Sequence, residues 1–320
     1  MKRREFMKFS AVLGATAFAN PLFARESFTI YGAPALPSLT IAVALLQGNL
    51  AKNYDAKLQT WRDPDQLRAG VANGTFKVMM SPSNVGLNLA NQGQNVGLVN
   101  ILTNGFTSIS AKRKISNLAE LKGAKFLIPF KGDMPDIIIH SLFKALKIDP
   151  AQIKIEYASS PVQAAELFLK KDYEFAFLPE PMGSACILKG KKMGVKVERC
   201  LDLAQTWGDV FGVKPVIPQA GIIANRDFFA AHKGDFEILH TDLINALEWI
   251  KSNTQSAAEI GTNLFPAPAP AIAMSLPFSN LVVTKASEIK PELIKFYEVL
   301  HEFNPKLIGS KMPRDEFFLC

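Results

Sequence analysis

Lys57–Gly86, KLQTWRDPDQLRAGVANGTFKVMMSPSNVG, and Lys154–Gly183, KIEYASSPVQAAELFLKKDYEFAFLPEPMG, align without a gap at an offset of 97 residues. Lys57/Lys154, Pro64/Pro161, Gln66/Gln163, Pro82/Pro179 and Gly86/Gly183 are identical. Each segment reads as a short strand, a helix opened by proline in its first turn, a second apolar strand, and a proline turn into another helix. The residues before them correspond too. Phe28–Ser38, FTIYGAPALPS, lies over Phe126–Asp136, FLIPFKGDMPD, at an offset of 98. Self-similarity with a matched order of elements marks a duplicated unit.

The repeat predicts an α/β chain of two lobes built on one β-α-β-α-β-α plan. Short apolar strands alternating with amphipathic helices predict mainly parallel sheets. Residues 25–107 form lobe one and 108–214 lobe two, and 215–320 return to lobe one. Pro215–Ala224 reads as the returning strand, and the remainder reads as helical over Phe236–Asn253, Gln255–Leu264, Pro268–Leu276 and Pro291–Phe303. In the first of these Leu239, Leu243, Ala246, Leu247 and Ile250 recur at helical spacing. Two chain crossings between lobes make a hinge.

Ahead of the lobes, Lys2-Arg3-Arg4-Glu5-Phe6-Met7-Lys8 precedes an apolar run, Phe9–Ala19, and small residues ending at Ala19 and Ala24. This is the layout of an export signal. The run is shorter than the roughly 20 residues a membrane-spanning helix needs. Residues 1–24 are therefore expected to be removed, placing the mature chain outside the cytoplasm, in a periplasm. The Arg-Arg-x-Phe-x-Lys spacing resembles a twin-arginine signal; an ordinary secretory signal is the alternative. No later segment is long and apolar enough to span a membrane.

The chain carries 36 Lys+Arg and 29 Asp+Glu, a formal charge of +7. Residues 1–24 contribute four basic groups and one acidic group, which leaves the mature chain near +4. So mild a charge, without a block of five like charges, does not suit a nucleic-acid surface. Cys186, Cys200 and Cys320 form no C-x-x-C pattern. Cys186 and Cys200 either pair in an oxidising compartment or remain buried thiols.

Ligands of open α/β sheets bind beyond the carboxyl ends of the strands. The repeat assigns that place to Gly32–Ser38 and Ser81–Gly86 in lobe one, and to Phe130–Asp136 and Leu178–Gly183 in lobe two. All four lead into helices, whose first N–H groups are free for a ligand. Ser83 and Asn84 offer polar groups there, as ligand contacts or helix caps. Asp133 is the better ligand contact and Asp136 the better cap. Glu180 is a lone carboxylate between two prolines that either accepts from a ligand or favours the helix terminus. Met134 and Met182 supply adaptable apolar lining. Trp61 either stacks on a planar ligand or lies in the core. Lys131 is the only basic residue in the four loops, which favours a ligand with donor groups, or a zwitterion, over a simple anion.

The chain resembles the periplasmic substrate-binding proteins of the nitrate/sulfonate/taurine class of ABC importers, a family that also includes binders of thiamine precursors. The stretches that carry the resemblance are Trp61–Gly70, Ser81–Asn84, Ser116–Gly123, Gly132–Asp136, Leu178–Pro181 and Pro218–Gly221. It implies a type II periplasmic-binding-protein fold, with two α/β lobes around a ligand cleft. It implies capture of a small organic ligand: a sulfonate, a pyrimidine-type compound or a zwitterion. Delivery to an ABC permease and its ATPase would follow, from a monomer without cofactor or metal. The family's cleft contacts fall on Ala33, Pro34, Ser83, Asn84, Asp133, Met134, Glu180 and Gln219, to which Trp61 is added from the strand pattern. On this reading Asp133→Ala or Glu180→Ala weakens binding and leaves melting of the ligand-free protein nearly unchanged.

The alternative is an enzyme on the same scaffold acting on a pyrimidine-like molecule. The serine-hydrolase, P-loop, dinucleotide and H-E-x-x-H motifs are absent from the sequence. His140, His232, His240 and His301 stand in no metal-ligand pattern.

Overall fold

The computed structural model describes residues 25–105 and 108–320. The export signal therefore lies outside the described residues, as does position 107, where lobe one was expected to end.

The first lobe opens with β1 (Ser27–Gly32), α1 (Pro37–Gln47), α2 (Leu50–Asn53), β2 (Asp55–Thr60), α3 (Pro64–Ala72) and β3 (Val78–Pro82). α4 (Ser83–Asn91), β4 (Val96–Leu98) and β5 (Asn100–Thr103) follow. The second lobe holds β6 (Ser108–Ala111), β7 (Lys125–Pro129), α5 (Met134–Ala145), β8 (Lys154–Ala158) and α6 (Pro161–Lys170). It continues through β9 (Phe175–Phe177), α7 (Met182–Lys192), β10 (Glu198–Asp202) and α8 (Leu203–Phe211). The chain then returns through β11 (Ala220–Asn225), α9 (Arg226–Ala231), α10 (Lys233–Ser252), α11 (Thr254–Gly261) and α12 (Ala269–Ser275). It ends with β12 (Leu281–Lys285) and α13 (Lys290–Phe303), followed by short helical turns.

The two sheets repeat one topology. The first runs β2-β1-β3-β11-β5-β12, with β4 also paired to β11, and the second runs β8-β7-β9-β6-β10. In each, the three strands of the repeat pair in parallel and the crossing strand, β11 or β6, joins antiparallel. The sheets are thus mixed, where the sequence led us to expect mainly parallel ones. A strand that enters a lobe from the other lobe starts at the opposite sheet end from the repeat's own strands. β12 is a second departure. Leu-Val-Val-Thr-Lys lies between two stretches read as helical and was assigned no strand, yet it pairs antiparallel with β5 as an edge strand, which suits its β-branched residues.

Two of the repeat's identities have a local cause. Asp63 accepts from Gln66 N at 2.8 Å, and the Gln66 side chain accepts from Arg62 N at 2.7 Å. At the equivalent place Ser160 accepts from Gln163 N at 3.1 Å, and Gln163 accepts from Ser159 N at 2.7 Å. Each is a reciprocal cap on a proline-opened helix, so Pro64/Pro161 and Gln66/Gln163 start α3 and α6 in the same way.

Strand pairing corrects the repeat at its first strand. Ile30 pairs with Val78 while Phe126 pairs with Phe175, which sets β1 over β7 at an offset of 96 rather than 98. Both offsets keep the same residues facing inward, because strand side chains alternate with a period of two. The two-residue difference is taken up in the loop between β7 and α5. That loop carries positive φ at Phe130 (59°) and Gly132 (81°), and it ends on Asp133.

Candidate functional site

The four loops named from the repeat meet between the sheets around a cavity of about 650 Å³. β1 delivers Ala33 and Pro34 to it. A Cβ on Gly32 would stand 2.7 Å from the Leu58 side chain and 2.8 Å from the Ser38 hydroxyl, so any larger residue there would have to displace those side chains. Trp61, at the end of β2, lines the cavity while its indole Nε1 donates to Met80 O at 3.1 Å. The ring is therefore both pinned in the lobe and turned to the cavity.

At the start of α4 two neighbours differ in role. Ser83 is fully buried; its N–H donates to Gln219 O at 2.8 Å and its hydroxyl to Pro218 O at 2.7 Å. It ties the helix to the returning segment and does not line the cavity, contrary to expectation. Asn84 does line it. Its amide nitrogen donates to Leu307 O at 3.4 Å, and its side-chain oxygen has no partner among the described residues. Gln219 lines the cavity from the returning segment, and its side-chain oxygen also lacks a partner.

In the second lobe, Asp133 occupies the cap position of α5 but makes no side-chain cap bond. Asp136 holds the loop instead. Its carboxylate accepts from Gly132 N at 2.8 Å and from the Tyr157 hydroxyl at 2.9 Å, and lies 3.1 Å from His140. Burial alone would raise the Asp136 carboxyl, but the hydrogen bonds from His140, Gly132 and Tyr157 outweigh it and hold it below the usual carboxylate range. Asp133 goes the other way. Burial pushes its carboxyl up, and the nearby Arg68 guanidinium only partly offsets this. Arg68 reaches it from α3 of the other lobe at 3.5 Å. Met134 is buried against the cavity beside it.

Glu180 lines the cavity at 2% exposure, with both carboxylate oxygens engaged. One accepts from Ser184 N at 3.0 Å and its hydroxyl at 2.7 Å; the other accepts from Arg199 Nε at 2.7 Å. A lone carboxylate in the sequence is thus part of a buried ion pair. Arg199 stands on β10, and nothing in the local pattern around Glu180 announces it.

The sequence reading also missed Arg68, Phe130 and the Phe265–Pro266 pair, all of which line the cavity. Phe130 lay inside a named loop. The proline-rich run after Leu264 was a signal for the last pair, since it interrupts two helices where the lobes face each other. Arg68 left no signal, because its partner belongs to the other lobe. Among the described residues no group of three His, Cys, Asp or Glu side chains could hold a metal ion.

No family model matches the chain, and no curated protein matches it. Solved structures do. An ABC transporter structure from Parabacteroides distasonis superposes with a TM-score of 0.75 at 16% identity, covering 91% of this chain and 98% of its own. The periplasmic aliphatic sulphonate binding protein of Escherichia coli gives 0.72 at 15% identity, covering 92% and 91%. A Candida albicans gene product described as having the generic periplasmic binding protein structural fold gives 0.55 at 12% identity, covering 92% and 93%.

The chain has the periplasmic-binding-protein fold. In this periplasmic-binding-protein fold the cavity lies between two lobes joined by two crossings, so a ligand inside it touches both. No helix of the described residues is long and apolar enough to cross a membrane.

Proposed function

We propose that this chain is the exported solute-binding component of an ABC importer. It captures one small organic molecule between its lobes and presents the closed form to a permease and its ATPase. Lobe one comprises residues 25–107 and 215–320, lobe two residues 108–214. The observation that carries this reading is the cavity of about 650 Å³ into which strand-end loops of both lobes open. A ligand there bridges the lobes and favours the closed arrangement. The fold likeness to binding components of importers supports it.

Ala33, Pro34, Trp61, Asn84, Asp133, Met134 and Gln219 contact the ligand, and Glu180 shapes the wall without accepting from it. Capture is favoured over turnover because two of the three carboxylates nearest the cavity are already committed. Glu180 is paired with Arg199, and Asp136 holds its own loop, Tyr157 and His140.

Native mass spectrometry of the mature protein, purified gently from its host's periplasm, tests the reading. The expected result is a bound small mass that is lost on denaturation. Consumption of that compound by the purified protein would instead establish an enzyme.

A further inference from the structure

Five helices begin at the cavity: α3, α4, α5, α6 and α7. Such helix starts hold small anions through free backbone N–H groups. Here the chain itself takes up several of those donors. Gln66 N donates to Asp63 at 2.8 Å, Gln163 N to Ser160 at 3.1 Å and Ser184 N to Glu180 at 3.0 Å. Ser83 N donates to Gln219 O at 2.8 Å. Pro64, Pro135 and Pro161 remove further donors from the first turns of α3, α5 and α6.

The side chains leave little polar capacity either. Both Glu180 oxygens are engaged, and the side-chain oxygens of Asn84 and Gln219 are buried away from the cavity. Asp133 is paired with Arg68, 3.5 Å away on the other lobe, so the lobes already meet beside the cavity. Arg62, Arg68 and Lys306 reach it as exposed side chains at its edge. The rest of the wall is apolar. Three rings, Trp61, Phe130 and Phe265, and three thioethers, Met80, Met134 and Met182, line a volume of about 650 Å³. Pockets of about 300–1,000 Å³ take drug-sized ligands. Aromatic side chains and methionine sulfur both favour aromatic partners.

We propose that the ligand is a drug-sized molecule with an aromatic, largely apolar body, selected by the ring and thioether walls rather than by an ion pair or a helix start. This rests on the binding-protein reading and specifies its ligand class. A nitrate or a taurine would leave most of the apolar wall in contact with water and would find few free donors. A polar group on the aromatic body meets the exposed edge, where water completes its hydrogen bonds.

The test is calorimetry of the mature protein with naphthoate, benzoate and their uncharged amides, with nitrate and taurine as the small anions. Both naphthyl compounds are expected to bind, each about tenfold tighter than its phenyl counterpart, through the apolar area of the second ring. Each amide should match its acid within about tenfold, and binding should carry a negative heat-capacity change. Met182→Gln keeps the volume of the wall but sets an amide in it, and should weaken naphthamide by about tenfold. Tighter binding of nitrate or taurine than of naphthamide, binding by the acids alone, binding by neither naphthyl compound, or undiminished binding by the variant would each overturn the proposal. The native ligand separates the two readings. A bound mass of nitrate or taurine size sinks the aromatic ligand and keeps the binding protein, whereas conversion of the bound compound sinks both.

Discussion

Arg199 donates from Nε to Glu180 at 2.7 Å while its guanidinium lies 3.8 Å over the ring of Phe278. Glu180 and Arg199 belong to the second lobe. Phe278 follows α12, on the part of the chain that has returned to the first. A single arginine therefore links a wall of the cavity to the opposite lobe, through an ion pair that is 1% exposed at the carboxylate and 15% at the guanidinium.

Glu180→Ala strands that guanidinium. Removing one partner of a buried pair costs about 3–5 kcal/mol, and urea denaturation of the ligand-free variant should show a loss of this size. This reverses the expectation from sequence, under which Glu180 contacted ligand and its loss left melting unchanged. An unaltered denaturation midpoint would return Glu180 to the ligand.

Asp133 and Asp136 should titrate stability in opposite directions. Asp136 has its carboxyl held down in the fold. Its contribution is present above the unfolded carboxylate value, near 4, and is lost as pH falls through the lower folded value. Asp133 has its carboxyl raised, so its contribution is full at acid pH and lost as pH rises through the folded value. Asp136→Asn should thus destabilise at about pH 7 and much less at about pH 3, whereas Asp133→Asn should melt no lower than wild type at about pH 7. Denaturation of both variants at the two pH values decides it; parallel behaviour would contradict the assignment.

Gly221 in β11 faces the backbone of β5. A Cβ there would stand 1.7 Å from the Asn100 carbonyl oxygen. Backbone within a sheet cannot yield that distance, so Gly221→Ala should abolish the cooperative thermal transition. By contrast Gly132→Ala meets no atom within 4 Å, and its cost is confined to its φ of +81°. That variant should fold, with about 1–2 kcal/mol lost. Equal melting of the two would refute the clash.

The three cysteines are free thiols. Cys186 and Cys200 are buried in separate apolar clusters. Burial pushes the Cys186 thiol up to about 12 and the Cys200 and Cys320 thiols up to about 11. Thiolate is scarce at neutral pH, so alkylation of the native protein should be slow. Unfolding without reductant should release three alkylatable thiols; only one would mean that Cys186 and Cys200 are joined.

Much of the fold was legible because its signals are local. Asp63-Pro-Asp-Gln66 and Ser160-Pro-Val-Gln163 each start a helix within four residues, and the spacing of Leu239, Leu243, Leu247 and Ile250 requires no distant partner. The strand slip at β7 was not legible, because a shift of two residues leaves the inward face unchanged. β12 was missed for a different reason. Its pairing with β5 joins residues far apart in sequence, and the helices on either side of it dominate the local pattern. At the site, the loops were legible and the state of their side chains was not. Asp133, Asp136 and Glu180 look alike in a sequence, yet they differ in how many donors surround them.

By itself the sequence determined the duplicated β-α-β unit, its helix starts and the loops at its strand ends, since these depend on contacts within a few residues. Only the tertiary structure decided which carboxylate is spare. Arg199 reaches Glu180 from β10, Tyr157 reaches Asp136 from β8, and Arg68 reaches Asp133 from the other lobe. A carboxylate's availability is set by the donors that folding brings to it, and those donors come from distant parts of the chain.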